Sequence, residues 1–268
     1  MHEIKTVQGR EVPSIGYGTW RVRGPDAREG VADALALGYR HVDTATLYRN
    51  EREVGEGLRD SGVAREDVWI TSKVWYTDLA PDATRRSAEG SLRALGIDRL
   101  DLLLIHWPPP DGRFEPALEE MLAMREEGLV GEVGVSNFDP PLLRRALAVG
   151  PVFCDQVKWD PSIGQRELLE VAAEHDVLIA AYSPLGQGAI VEHPVLAEVG
   201  RAHGKSAAQV ALRFLIEHDR TCALPRSTSH ERRAENLDVF GFELTAQERE
   251  RIAALAPEPQ ARYAMVWA

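Results

Sequence analysis

No stretch of this 268-residue sequence stays apolar for 18 residues, so no membrane-crossing helix is expected. Cysteine is nearly missing. Cys154 and Cys222 are the only two, both in apolar runs, and they read as buried thiols in a reducing compartment rather than as a disulfide framework. Positive charge is in deficit, with 31 Lys and Arg against 42 Asp and Glu and a formal net charge of −11. A field of that sign repels nucleic acid and anionic membranes, so neither is expected as a partner. The opening residues, MHEIKTVQGREVP, lack the apolar core of a signal peptide, and a cytoplasmic location is expected. There is no G-x-G-x-x-G turn after a strand. VGRAHGKS (199–206) ends like a phosphate-binding P-loop, but Val199 replaces the first glycine and the preceding PVLAEVGRA reads as helix, not strand. No metal site is expected.

What is present is an ordinary globular composition, 44% hydrophobic and 27% charged, without linker or low-complexity tract. One domain over residues 1–268 is expected. Strand-like apolar runs recur at about 15–18, 39–43, 68–73, 101–106, 132–136, 153–157, 177–182 and 221–225. Helical patterns lie between them, at 26–38, 82–96, 115–128 and 206–218 for example. Pro81 and Pro116 sit near helix starts, Gly38, Gly96 and Gly128 at helix ends, and Ser206 with Gln209 has the spacing of a capping box. Eight strands alternating with helices predict a parallel sheet closed into a (β/α)8 barrel, an α/β fold of the TIM type. IKTVQGREVP (4–13) predicts a short N-terminal β-hairpin ahead of it, with its turn at Gln-Gly-Arg. Met121 and Met124, at helical spacing among leucines, belong to the core.

In such a barrel chemistry gathers at the carboxyl ends of the strands. Three successive strands end in Asp43, Lys73 and His106, and Tyr48 follows on the loop after Asp43. Singly, each has a plain explanation: a helix cap, a solvated lysine, a packed imidazole, a phenol covering apolar surface. Adjacent strands lie about 4.8 Å apart, so all four together can meet at one mouth. A phenol is a poor acid near neutrality, with a pKa of about 10, unless a cation stabilises its anion. Lys73 can do that, Asp43 can hold Lys73 charged, and His106 can orient a carbonyl oxygen. Such a set protonates an alkoxide that forms when hydride reaches a carbonyl carbon. No side chain supplies hydride, so a nicotinamide cofactor is implied.

GYGTW (16–20), DTATLY (43–48), TSKVW (71–75), LIHWP (104–108), GVSNF (134–138), Gln156-Val157, YSPLGQG (182–188) and LPRS (224–227) with Arg232, Glu235 and Asn236 resemble the aldo-keto reductases, in that family's order. The short bacterial 2,5-diketo-D-gluconate and methylglyoxal reductases are the most similar in pattern. The resemblance implies a barrel that binds NADPH, with a catalytic tetrad of Asp43, Tyr48, Lys73 and His106. It implies that Ser136, Asn137 and Gln156 bond the nicotinamide carboxamide and Tyr182 stacks on the ring. Ser183 and Leu185 would follow the pyrophosphate. Arg226, Ser227 and Arg232 would hold the adenosine 2′-phosphate, with Glu235 and Asn236 near the adenine. Trp20, Trp75 and Trp107, on loops beside the mouth, are expected to wall a pocket for a small carbonyl substrate; Trp159 and Trp267 are weaker candidates. The chain departs from the family at KWDP (158–161), at Arg226, which stands where lysine is common, and in its tail ARYAMVWA (261–268). GAIVEHPVL (188–196) is too short for a long loop clasping the cofactor. The expected protein is a monomeric NADPH-dependent reductase of aldehydes and ketones. Its alternatives are a non-catalytic NADPH-sensing barrel and a phosphate-binding barrel with a Schiff-base lysine, the latter disfavoured because Asp43 keeps Lys73 charged.

Overall fold

The computed structural model describes residues 3–256; the tail 261–268 and Trp267 lie outside the described residues. The chain opens with strands β1 (Ile4–Val7) and β2 (Arg10–Pro13), paired antiparallel with Val7 opposite Arg10. Gln8 and Gly9 make the turn at φ 46° and 74°. Two central residues with positive φ match the twist of a two-residue hairpin. Asp176 fixes the turn by accepting from the Gln8 backbone N–H at 2.7 Å.

Eight parallel strands follow: β3 (Tyr17–Gly18), β4 (His41–Asp43), β5 (Trp69–Val74), β6 (Leu100–Ile105), β7 (Val130–Ser136), β8 (Cys154–Lys158), β9 (Leu178–Tyr182) and β10 (Thr221–Leu224). Each pairs with its neighbour in chain order. The barrel closes where Ile15 bridges Ala223 in parallel and the Gly18 N–H donates to Pro225 O at 3.0 Å. The first barrel strand is shorter than the 15–18 run predicts. Gly16 precedes it, where a Cβ would stand 2.6 Å from Leu224 and 2.9 Å from His41.

Between the strands run α1 (Pro25–Leu37), α2 (Glu51–Asp60), α3 (Pro81–Leu95), α4 (Glu115–Glu126), α5 (Pro140–Leu147), α6 (Arg166–His175), α7 (Pro194–His203) and α8 (Ala207–Ile216); α9 (His230–Leu237) and α10 (Ala246–Ala253) follow β10. The start and stop residues act as read. Proline opens α1, α3 and α4, Gly38 and Gly96 end theirs in the left-handed region, and Ser206 with Gln209 forms a complete capping box. Gly204-Lys205-Ser206 is the turn joining α7 to α8.

Side-chain alternation divides the core in two. Inside the barrel, Trp69, Leu102, Leu104, Cys154, Ala180 and Cys222 pack with Val7 and Val12 of the hairpin, which closes the amino-terminal floor. Outside, Ile70, Leu103, Val133 and Ile179 meet the helices, Met121 and Met124 among the partners. Both cysteines are free and buried, and burial pushes the Cys222 thiol up to about 12. Among the described residues no helix is long and apolar enough to cross a membrane.

Candidate active site

Asp43 ends β4 and Lys73 lies one residue before the end of β5; His106 follows β6 directly. Lys73 is fully buried, a position a lysine tolerates only with partners. Its Nζ donates to Asp43 Oδ1 at 2.7 Å and to Thr44 O at 2.8 Å. The second Asp43 oxygen accepts from Gln156 Nε2 at 2.7 Å, across the barrel from β8. Tyr48 closes a short 3-10 turn, Thr46–Tyr48, which Thr46 fastens to β5 by donating to Lys73 O at 2.9 Å. The ammonium sits 5.1 Å from the Tyr48 ring centroid, and the His106 ring meets Tyr48 edge-on at 5.6 Å. The structure therefore brings the four residues together.

Their electrostatics differ from the expectation at one point. Tyr48 is half-buried overall, but its hydroxyl end is enclosed, and burial raises the phenol well above its ordinary value, with Asp43 and Tyr182 adding to the rise. The Lys73 ammonium near the ring does not outweigh that burial, its charge being shared with Asp43. Burial pulls the Lys73 ammonium down, and Asp43 opposes the pull. Burial first, then Lys73, drives the His106 imidazole well below its usual value, so His106 is neutral with one N–H to donate.

A cleft of about 890 Å³ opens above this set. Asp43, Tyr48 and His106 line it, as do Trp20, Trp75 and Trp107, while Lys73 lies beneath. Every residue expected on the cofactor side lines the same cleft: Ser136, Asn137, Gln156, Tyr182, Ser183, Leu185, Arg226, Ser227, Arg232, Glu235 and Asn236. Short as the 188–196 segment is, Gly188 and Val191 border the cleft too. Trp159 is instead buried edge-on to His218 at 5.1 Å, a packing residue. A second hollow, of about 620 Å³, lies by Gln8, Val152 and His175 and gathers none of the candidates.

The wall is ordered by its own hydrogen bonds. Ser136 Oγ donates to Gln156 O at 2.7 Å, Asn137 Nδ2 to Ser136 Oγ at 3.0 Å, and Tyr182 Oη to Asn137 Oδ1 at 2.8 Å. Asn137 and Ser183 are held in the left-handed region at φ 63° and 50°. Gln156 keeps its carbonyl oxygen and one amide hydrogen free of protein partners among the described residues, a donor and an acceptor for a carboxamide. At the start of α9, Arg233 is buried on Asp33 at 2.7 Å and on Ser227 O at 3.0 Å. Arg226 and Arg232 are exposed and, among the described residues, their guanidinium groups have no ion-pair partner. Two such guanidinium groups beside buried Ser227 suit a phosphate. The donor set therefore fits a phosphorylated nicotinamide cofactor.

Sequence reading missed Asn50. Its Nδ2 donates to Thr19 O at 3.0 Å and Val22 O at 2.8 Å, and its Oδ1 accepts from Thr44 Oγ1 at 2.9 Å. It ties the Tyr48 loop to the Trp20 loop. Among the described residues no cluster of His, Cys, Asp and Glu is placed to hold a metal ion.

Barrel and mouth define the class: an α/β barrel that collects its ionisable groups at the carboxyl ends of its strands. The Aldo/keto reductase family model matches residues 14–257, and the chain belongs to that family. It is 38% identical over 255 residues to glyoxal reductase of Bacillus subtilis, covering 94% of this chain and 92% of that protein. A solved structure given the provisional name 2,5-diketo-D-gluconic acid reductase B superposes with a TM-score of 0.94 at 35% identity, over 100% of this chain and 98% of that one. A Bombyx mori aldo-keto reductase in complex with NADP matches with a TM-score of 0.87 at 29% identity, over 96% and 93% of the two chains.

Proposed function

We propose that this protein is an NADPH-dependent reductase that converts aldehyde and ketone carbonyls to alcohols. Its substrates in this reading are small dicarbonyls, keto sugar acids and aromatic aldehydes. The observation that carries it is the Lys73–Asp43 pair at 2.7 Å beneath the Tyr48 and His106 rings, at the base of a cleft that all the cofactor-side residues share. NADPH supplies, when bound, the hydride that side chains lack. Arg226, Ser227 and Arg232 hold its adenosine phosphate, Ser183 and Leu185 its pyrophosphate, and Tyr182 its nicotinamide face. Ser136, Asn137 and Gln156 hold the carboxamide, with Glu235 and Asn236 beside the adenine.

The chain's own groups do the rest. Neutral His106 donates a hydrogen bond to the carbonyl oxygen and fixes its direction. As negative charge grows on that oxygen, Tyr48 passes it the hydroxyl proton. Lys73 stabilises the resulting phenolate, and Asp43 keeps Lys73 charged. The raised phenol pKa means that Tyr48 is fully protonated at neutral pH, the form a proton donor needs. Trp20, Trp75 and Trp107 keep water from the reacting carbonyl.

Tyr48→Phe removes the proton donor and little else. Turnover of methylglyoxal or an aromatic aldehyde should fall by about 10²–10⁴-fold, while NADPH binding, read by fluorescence titration, should stay within a small factor of wild type. A near-normal rate in the variant contradicts the role given to the phenol. Tight NADPH binding with no turnover of any carbonyl in the panel would favour the non-catalytic barrel instead.

A further inference from the structure

The four cations on the cleft are not all accounted for by the adenosine phosphate. Arg226 and Arg232 sit at the α9 corner, Arg21 lies over the Trp20 ring at 4.2 Å, and Lys158 ends β8. Two carboxylates line the same cleft: Asp43, already bonded to Lys73, and Glu235, at the α9 corner. Lys158 is exposed and, among the described residues, its ammonium makes no hydrogen bond or ion pair.

An exposed lysine usually points to bulk water, but its strand fixes this one. Cys154 lies in the barrel interior and Gln156 reaches Asp43, so the inward face of β8 is the 154, 156, 158 series. Lys158 therefore stands one pleat, about 6.6 Å, above Gln156 on the same face. Its register partner is Tyr182, itself on the cleft wall. Lys158 is thus a cation with no bonding partner among the described residues, on the cleft wall across the barrel from Asp43, in a chain whose net charge is −11. A monoanion matches a single ammonium; a phosphate dianion is better met by the guanidinium pair at α9.

We propose that Lys158 is a specificity-determining residue that selects carbonyl substrates bearing a carboxylate. The inference rests on the carbonyl-reductase reading and deepens it. Two aldehydes of one shape separate charge from size: 4-carboxybenzaldehyde and 4-nitrobenzaldehyde. In Lys158→Gln the KM for the carboxylated aldehyde should rise about tenfold, the loss of one charge-assisted hydrogen bond. The KM for the nitro compound and for NADPH should hold, and Lys158→Arg should restore most of the difference. Equal shifts for both aldehydes overturn the proposal, as does a shift confined to NADPH, which would assign Lys158 to the cofactor. Binding of benzoate and of benzamide, followed by tryptophan quenching, needs no turnover. Weaker benzoate binding in Lys158→Gln with benzamide unchanged supports the proposal, and unchanged benzoate binding overturns it. If wild type reduces neither aldehyde, the reductase reading fails on its own account and the benzoate arm still decides on Lys158.

Discussion

Tyr48 and His41 show at the residue scale how strongly the barrel interior acts on titratable groups. Lys73 lies close to Tyr48, yet enclosure outweighs it, because Asp43 already answers the ammonium. Beneath them His41 is buried, with Nε2 3.0 Å from Thr71 Oγ1, and burial drives its imidazole down to about 4. The folded chain leaves this group neutral where the unfolded chain, at about 6.5, takes up a proton. The stability linked to neutral His41 is thus whole above pH 6.5 and is lost as pH falls from 6.5 towards 4. Between pH 6.5 and 5 the loss amounts to about 2 kcal/mol at 1.36 kcal/mol per pH unit. His41→Gln should flatten that part of the profile, read as urea midpoints of variant and wild type at pH 7 and pH 5; parallel profiles would contradict it. The tetrad was legible in the sequence because ionisable residues at successive strand ends stand out. Gln156, Lys158 and Asn50 were harder to see in their present roles. The Gln156 bond to Asp43 and the inward place of Lys158 emerge only once strand parity is fixed, and Asn50 only once two loops are known to touch.

Two contacts matter at the scale of elements. The first is α9, whose Ser229 cap accepts from the Arg232 backbone N–H at 3.3 Å while the neighbouring Arg233 anchors the helix to Asp33. With anchoring assigned to Arg233, Arg232 is left for the proposed cofactor phosphate. Arg232→Ala should raise the NADPH KM far more than the NADH KM, and equal effects would count against a 2′-phosphate at this corner. The second is α2, wedged between α1 and α3. A Cβ on Gly55 would lie 2.1 Å from Leu95 O, and one on Gly57 2.4 Å from Arg28 O. Neighbouring backbone cannot yield as a side-chain tip can. Gly55→Ala should destabilise by about 1–3 kcal/mol, seen as a lower thermal midpoint, with an unchanged midpoint refuting the tight approach. Helix ends were readable to within a residue or two from proline, glycine and capping boxes. The two wedge glycines were not, since nothing local tells a glycine placed for packing from one placed for a turn.

For the whole molecule, the alternation of strand and helix was enough to specify the barrel, because eight such units have few ways to close. The hairpin was legible as a hairpin but not as a floor: Val7 and Val12 are ordinary alternating residues until the barrel above them is built. Charge is uneven as well. The net charge is −11, yet Arg21, Lys158, Arg226 and Arg232 line the cleft against two carboxylates, so the cleft departs from the sign of the chain as a whole.

That sealed floor turns the barrel into a room with a single door. Whatever settles against Gln156 and Ser136 therefore reaches them through the cleft and not through the amino-terminal end. The valines of a ten-residue hairpin, on the opposite side from the candidate residues, thereby set the direction of traffic.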